Sequence, residues 1–158
     1  GDVYKRQHLR GTPIRSGADI GWIASLTVGR LMRSGDVRMV HEAEPEVLRR
    51  EAAPGEVKRL VVLDGQGKYS GIVLPAELHA ANLDGAGLEG FLHHRDVYLL
   101  PGMSVKEALA LFESAEADAL VVLDNAASRK VIGVLSEQYA LRRYSEELER
   151  RRKELAGV

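Results

Sequence analysis

The chain contains no cysteine, which excludes disulfide scaffolds, thiolate metal centres and thiol nucleophiles and fits a reducing compartment. Aromatic residues make up only 5% of it, so a core must be built from Val, Leu, Ile and Ala. An excess of charge is lacking too. The formal net charge is -1 over 158 residues, which gives no whole-chain attraction to nucleic acid or anionic lipid. No apolar run approaches the roughly 20 residues needed to span a bilayer, and the charge-free stretch 20–29 is interrupted by two glycines. A signal-peptide pattern is also missing. The first residue is Gly1, not methionine; a fragment of a longer protein is expected, with residues 1–26 as tag and linker and residues 1–7 excluded from the fold.

What is present is a globular balance, 45% hydrophobic and 28% charged, sufficient for a real core. Internal repetition decides the architecture. Leu60-Val61-Val62-Leu63-Asp64 recurs letter for letter as Leu120-Val121-Val122-Leu123-Asp124, an offset of 60. Asp36-Val37 matches Asp96-Val97 at the same offset, and apolar Met39 matches Leu99. Downstream, Gly71-Ile72-Val73-Leu74 answers Gly133-Val134-Leu135-Ser136, with the second hairpin two residues longer. Together these matches mark a duplication.

Each copy reads as βαββα. Short strands are predicted at 38–40 and 96–100, then helices at 45–53, with Pro45 in the first turn, and at 104–114, opened by a Ser104-x-x-Glu107 capping box. Apolar, valine-rich strands follow at 59–63 and 119–123. Turns at 65–67 and 125–127 lead into strands at 69–74 and 130–135. Closing helices are predicted at 75–82 and 137–155. One such sheet cannot bury its apolar face alone, so the expected fold is α+β, with two βαββα repeats packed about a pseudo-twofold axis. The repeats span 27–84 and 91–144, joined by a flexible connector at 85–90 and followed by a helical extension at 145–158. The connector holds a literal G-x-G-x-x-G at Gly85, Gly87 and Gly90. A dinucleotide fingerprint must follow a strand and open a helix, and this one follows a helix.

A tandem βαββα pair with LVVLD strands and glycine-led strand ends resembles the CBS domain family, over residues 27–144. Arg10-Gly11-Thr12-Pro13-Ile14-Arg15 leading to Thr27-Val28-Gly29-Arg30-Leu31-Met32 is similar to the start of the cytoplasmic CBS pair of bacterial chloride channel and chloride/proton exchanger proteins. Leu100-Pro101-Gly102-Met103-Ser104 and the run Tyr139 to Arg150 are similar to the second repeat and exit helix of the same proteins. The resemblance implies a regulatory and dimerisation region, not an enzyme, on the cytoplasmic face of an integral membrane protein. It implies a homodimer, with the membrane-spanning part of the same polypeptide as partner and no nucleic acid. The alternative is a nucleotide-sensing CBS module from a soluble enzyme or another transporter.

The family also implies ATP, ADP or AMP as ligands, with no cofactor required, bound between the repeats through a glycine-led strand end, a hydroxyl and an acid three residues on. The hydroxyl meets phosphate at a helix N-terminus and the acid takes the ribose hydroxyls. Here Ser136 supplies the hydroxyl, but Tyr139 stands in the acid's place; in the first copy Leu74 replaces the hydroxyl while Glu77 keeps the acid. The expected cleft combines Ser136 with Val97, Leu99, Pro101 and Ala119, and Tyr139 stacks on or caps a base. The plainer reading makes Ser136 only the N-cap of the helix that follows.

Other chemistry finds little support. The adjacent His93-His94 pair would point to opposite sides of a strand and makes a poor chelate, and no zinc spacing or G-x-S-x-G is present. On the terminal helix Leu141, Leu148 and Leu155 recur at seven residues. Glu146/Arg150, Glu147/Arg151 and Glu149/Lys153 make i,i+4 pairs of a solvated face. The leucine stripe should pack on the module or across a dimer contact. Trp22, with Ile20, Ile23 and Leu26, is either a membrane-interface anchor or a cover on the second repeat.

Overall fold

The computed structural model describes residues 26–33 and 37–157. The expected run at Arg10 and the apolar group at Ile20, Trp22 and Ile23 lie outside them. Among the described residues five helices and five strands form an α+β fold. The first copy comprises helix α1 (Val28–Leu31), strand β1 (Arg38–His41), helix α2 (Pro45–Glu51), strands β2 (Leu60–Leu63) and β3 (Tyr69–Val73) and helix α3 (Pro75–Ala80). A 3-10 turn (Leu88–Phe91) leads to helix α4 (Val105–Ala115), strands β4 (Ala119–Leu123) and β5 (Val131–Ser136) and helix α5 (Glu137–Gly157). Proline sits in the first turn of both α2 and α3, where its missing N–H costs nothing. The capping box on α4 is complete: Ser104 Oγ accepts from the Glu107 amide at 3.1 Å and Glu107 Oε1 from the Ser104 amide at 2.9 Å.

The repeated strands are apolar at every position because they are buried on both faces. Leu60 and Val62 point into a core with Leu48, Val73 and Leu78, beneath α2 and α3. Leu120 and Val122 point into the other copy's core with Val105, Phe112 and Leu135. The intervening side chains, Val61, Val121 and Leu123, meet Tyr69 and Ile72 in a third cluster between the two sheets. Side chains alternate along a strand, so one four-letter apolar run serves two interfaces. The aspartate that ends each run pins its hairpin. Asp64 Oδ1 accepts from the Gln66 and Lys68 amides at 2.8 and 3.0 Å, and Asp124 Oδ1 from the Asn125 amide at 2.7 Å and from Ser128 Oγ. These bonds hold both carboxyls below the ordinary value.

A clasp joins the two hairpins. The Tyr69 amide donates to the Arg129 carbonyl at 2.9 Å, and the Arg129 guanidinium donates back to the Tyr69 carbonyl at 2.9 and 3.1 Å and to the Arg95 carbonyl at 2.7 Å. Its carbon lies 5.4 and 5.6 Å from the ring centres of Tyr69 and Tyr98. Burial pushes the Tyr69 hydroxyl well above its ordinary pKa, and that hydroxyl donates to the His94 carbonyl at 2.6 Å.

Three expectations change. The strand predicted at 96–100 contracts to one parallel bridge, Leu99 with Val122. Val97 donates to the His94 carbonyl, and the Leu100 amide turns to Met103 Sδ, so only Leu99 is free to join the β4 ladder. Residues 88–90 of the connector form part of the 3-10 turn, and Leu88 packs on the first core together with Phe91 and Leu92 just after it. On α5 the pairs differ from those expected: Arg150 binds Glu147 and Glu154, Arg142 and Arg143 reach Glu146, and Arg152 reaches Glu149. The helix's i,i+3 neighbours are as close as its i,i+4 neighbours, so rotamers decide. Tyr144 and Leu148 pack on the second core, whereas Leu155 is 82% exposed.

The lead-in segments are exchanged between copies. Val28 and Leu31 of α1 lie in the core of the second copy, with the Val28 amide bonded to the Met103 carbonyl at 2.8 Å and the Gly29 amide to Pro101 at 2.9 Å. Arg33 then makes a reciprocal antiparallel bridge with Val134, both bonds 2.8 Å. The 3-10 turn 88–91 stands 60 residues after α1 and packs on the first core, and His93 bridges Ile72 at 2.7 and 2.9 Å. Each copy is therefore completed by chain that precedes the other. Leu31→Ala is expected to cost about 2–4 kcal/mol. Amide exchange in the variant should quicken first in α4, β4 and β5, although Leu31 stands just before β1 in the chain; loss of protection centred on β1 to β3 would contradict the exchange.

Candidate functional site

The pseudo-twofold arrangement leaves two related clefts between the copies. The larger, about 1000 Å³, is lined by Val37, Arg38, residues 55–59, Asp118, Ser136, Glu137, Gln138 and Leu141. The smaller, about 330 Å³, is lined by Arg59, Ile72, Leu74, His93, His94 and residues 115–119. The loops 55–59 and 115–119 correspond at the repeat offset of 60. Each cleft joins the loop before the central strand of one copy to the hairpin end of the other.

Ser136 ends β5 and opens α5. Its Oγ accepts from the Tyr139 amide at 3.1 Å, the geometry of an N-cap. The Glu137 amide donates to the Asp118 carbonyl at 2.9 Å, which ties the start of α5 to the start of β4. Capping uses the Ser136 oxygen as acceptor and leaves its O–H to donate toward the cleft. The capping role and a ligand role are therefore compatible in one hydroxyl.

The electrostatics are set by two ion pairs. Arg59, whose side chain is only 17% exposed, meets Asp118 Oδ1 at 2.7 Å across the boundary between the copies. This bond holds the Asp118 carboxyl below its ordinary range, against a smaller opposing effect of burial. Arg38 meets Glu56 at 3.2 Å. The Glu56 carboxyl is held low mainly by the Ala53 amide and then by Arg38. Lys58 makes no ion pair among the described residues and is exposed. Arg59 and Asp118 line both clefts, so their bridge is a wall common to the two.

The structure brings together only part of the expected set. Ser136 heads the large cleft. Val97, Leu99 and Pro101 do not line it: Leu99 is fully buried in the second core, Val97 packs against that core, and Pro101 lies against Gly29. Ala119 belongs to the small cleft. The physical reason is the twofold relation, which turns Ser136 toward the loop of the other copy. Tyr139, expected to stack on or cap a base, does not line the cleft; its ring lies against the guanidiniums of Arg33 and Arg142 at 4.8 and 5.1 Å. Missed by the sequence reading were Arg38, Lys58 and Arg59; the basic pair directly before LVVLD was the available signal.

The small cleft is differently equipped. Leu74 occupies the hydroxyl position, and Glu77 is engaged by His93 Nε2 at 2.7 Å. The His93 and His94 ring centres are 6.1 Å apart. Burial lowers the pKa of His94. Among the described residues no three His, Cys, Asp or Glu side chains cluster to hold a metal ion, and no helix is long and apolar enough to cross a membrane.

The profile of the CBS domain family matches residues 88–146. No curated protein sequence matches the chain significantly. Among solved structures the fold resembles a CBS domain pair/ACT domain protein from Thermotoga maritima, at 22% identity over 78% of this chain and 99% of that one, TM-score 0.59. It also resembles CBSX2 in complex with AMP, at 20% identity over 77% and 97%, TM-score 0.59. A third is the CBS pair of a putative Mg2+ transporter from Shewanella oneidensis, at 15% identity over 94% and 88%, TM-score 0.60. At these identities the likeness establishes the fold, and that fold is a CBS domain pair.

The Asp118 carboxyl should titrate in an NMR pH series below its ordinary value of 3.8, and Arg59→Gln should raise its midpoint. A depressed folded-state pKa means the bridge contributes above the unfolded value and is lost as pH falls through the folded one. An unshifted wild-type midpoint would contradict the pair.

Proposed function

We propose that this chain is a non-catalytic regulatory module that takes an adenine nucleotide in the cleft headed by Ser136. The observation that carries the reading is the meeting, in one cleft of about 1000 Å³, of the Ser136 hydroxyl at the start of α5 with Lys58 and Arg59 from the other copy. A hydroxyl donor, the exposed Lys58 cation and the N-terminal end of a long helix suit a phosphate. Val37, Val57 and Leu141 offer an apolar wall for a base. Structures of the same fold support this choice of ligand: that of CBSX2 holds AMP, and that of the cytosolic domain of the Mg2+ channel MgtE, 21% identical, holds ATP. Regulation would be a shift between two arrangements of the copies, driven by whichever one binds ligand more tightly.

The finer reading places the module on the cytoplasmic face of a chloride channel or chloride/proton exchanger as part of a homodimer. It is supported by the runs at Arg10–Arg15, Leu100–Ser104 and Tyr139–Arg150. The alternative, a module of another transporter or a soluble protein, is supported by the fold likeness to such proteins. Apolar spans of about 20 residues before Gly1 would set a transporter reading apart from a soluble one.

Calorimetry on the wild-type chain with AMP, ADP and ATP should show binding at or below millimolar concentration. Lys58→Ala should weaken it by about tenfold, or 1.4 kcal/mol. Ser136→Ala should also weaken it and, by removing the cap, lower stability by about 1 kcal/mol. Silence with all three nucleotides would refute the ligand reading.

A further inference from the structure

Cleft charge points to which nucleotide it prefers. The described lining carries three basic side chains, Arg38, Lys58 and Arg59, and three acidic ones, Glu56, Asp118 and Glu137. Two of the three cations are already matched, Arg38 by Glu56 at 3.2 Å and Arg59 by Asp118 at 2.7 Å. Lys58 alone is in no ion pair among the described residues, although its charge also acts on the Asp118 carboxyl, and it is left with the Ser136 O–H to answer an incoming anion. A monoester phosphate brings about two negative charges at neutral pH, and every further phosphate in a chain adds roughly one more. A triphosphate therefore meets Glu56, Asp118 and Glu137 with little surplus positive charge. To enter, it must draw Arg38 or Arg59 from its carboxylate and leave that carboxylate facing phosphate oxygens.

We propose that this cleft discriminates by charge, taking a nucleoside monophosphate in preference to the di- and triphosphate, because the Arg38–Glu56 and Arg59–Asp118 pairs withhold two of its three cations. The proposal rests on the reading of the cleft as an adenine-nucleotide site and adds the class of nucleotide. Glu56 and Asp118 are then specificity-determining residues that act by occupying the arginines. Their side chains are 48% and 78% exposed, so neutral substitutions at these positions leave the core intact.

The experiment is calorimetric titration of the full chain with AMP, ADP and ATP in metal-free buffer, on wild type and on the double variant Glu56→Gln with Asp118→Asn. Melting curves confirm that both are folded. Wild type should bind AMP about tenfold or more tightly than ATP, with ADP between them. The double variant should gain ATP affinity and shrink the AMP-to-ATP ratio by about tenfold, a factor corresponding to 1.4 kcal/mol. A purely structural role for the two carboxylates would move all three affinities together and leave the ratio unchanged. ATP bound as tightly as AMP in wild type, or an unchanged ratio in the variant, would overturn the charge selection while leaving the cleft a nucleotide site. No binding of any nucleotide would overturn both.

Discussion

The back-to-back contact between the copies governs everything else in this molecule. Val61, Val121 and Leu123 share one buried cluster with Tyr69 and Ile72, and the same strands bury Leu60, Val62, Leu120 and Val122 against their own helices. Strands buried on both faces must be apolar throughout, so neither copy of LVVL could stand as the outer sheet of an independent domain. Each sheet is also completed by chain from outside its copy, Arg33 on β5 and His93 on β3. The two halves are therefore mutually dependent, and each cleft between them is lined by residues of both.

Equal folds have not given equal clefts. The two share the Arg59–Asp118 bridge as a common wall. On one side Ser136 opens a 21-residue helix beside Lys58. On the other, Leu74 precedes the 6-residue helix α3, and Glu77 is tied to His93. The long helix also links the large cleft to the far end of the chain, with Tyr144 and Leu148 packed on the second core. Movement at Ser136 would thus be carried along α5, while the short helix beside Leu74 has no comparable reach.

Much of the fold was legible because its signals are local or periodic. The LVVLD runs, the Ser104 capping box and the first-turn prolines each state a structural rule within a few residues, and all appear where expected. The exchange of lead-in segments was not read. Val28-Gly29-Arg30-Leu31 and Leu88-Glu89-Gly90-Phe91 share no letter in register, and four residues are too few for a periodic signal. Extending the offset upstream would have paired their apolar ends. The strand at 96–100 failed because Leu100 and Val97 spend their amides on local turns. In the site, Ser136 was legible from its place after a glycine-led strand. Its neighbours were not, since sequence order cannot tell which copy's loop crosses the axis to face it. Val97, Leu99, Pro101 and Ala119, expected around Ser136, all belong to its own copy, whereas Lys58 and Arg59 arrive from the other.

The central claim is that two similar halves build one working cleft. It is tested most directly by the stoichiometry of AMP binding to the full chain, measured by calorimetry together with amide chemical-shift mapping. The account predicts one AMP per chain, with the largest shifts at residues 55–59 and at Ser136 to Gln138. Two equivalents per chain, or a single one whose shifts centre on Leu74, Glu77 and His93, would contradict it.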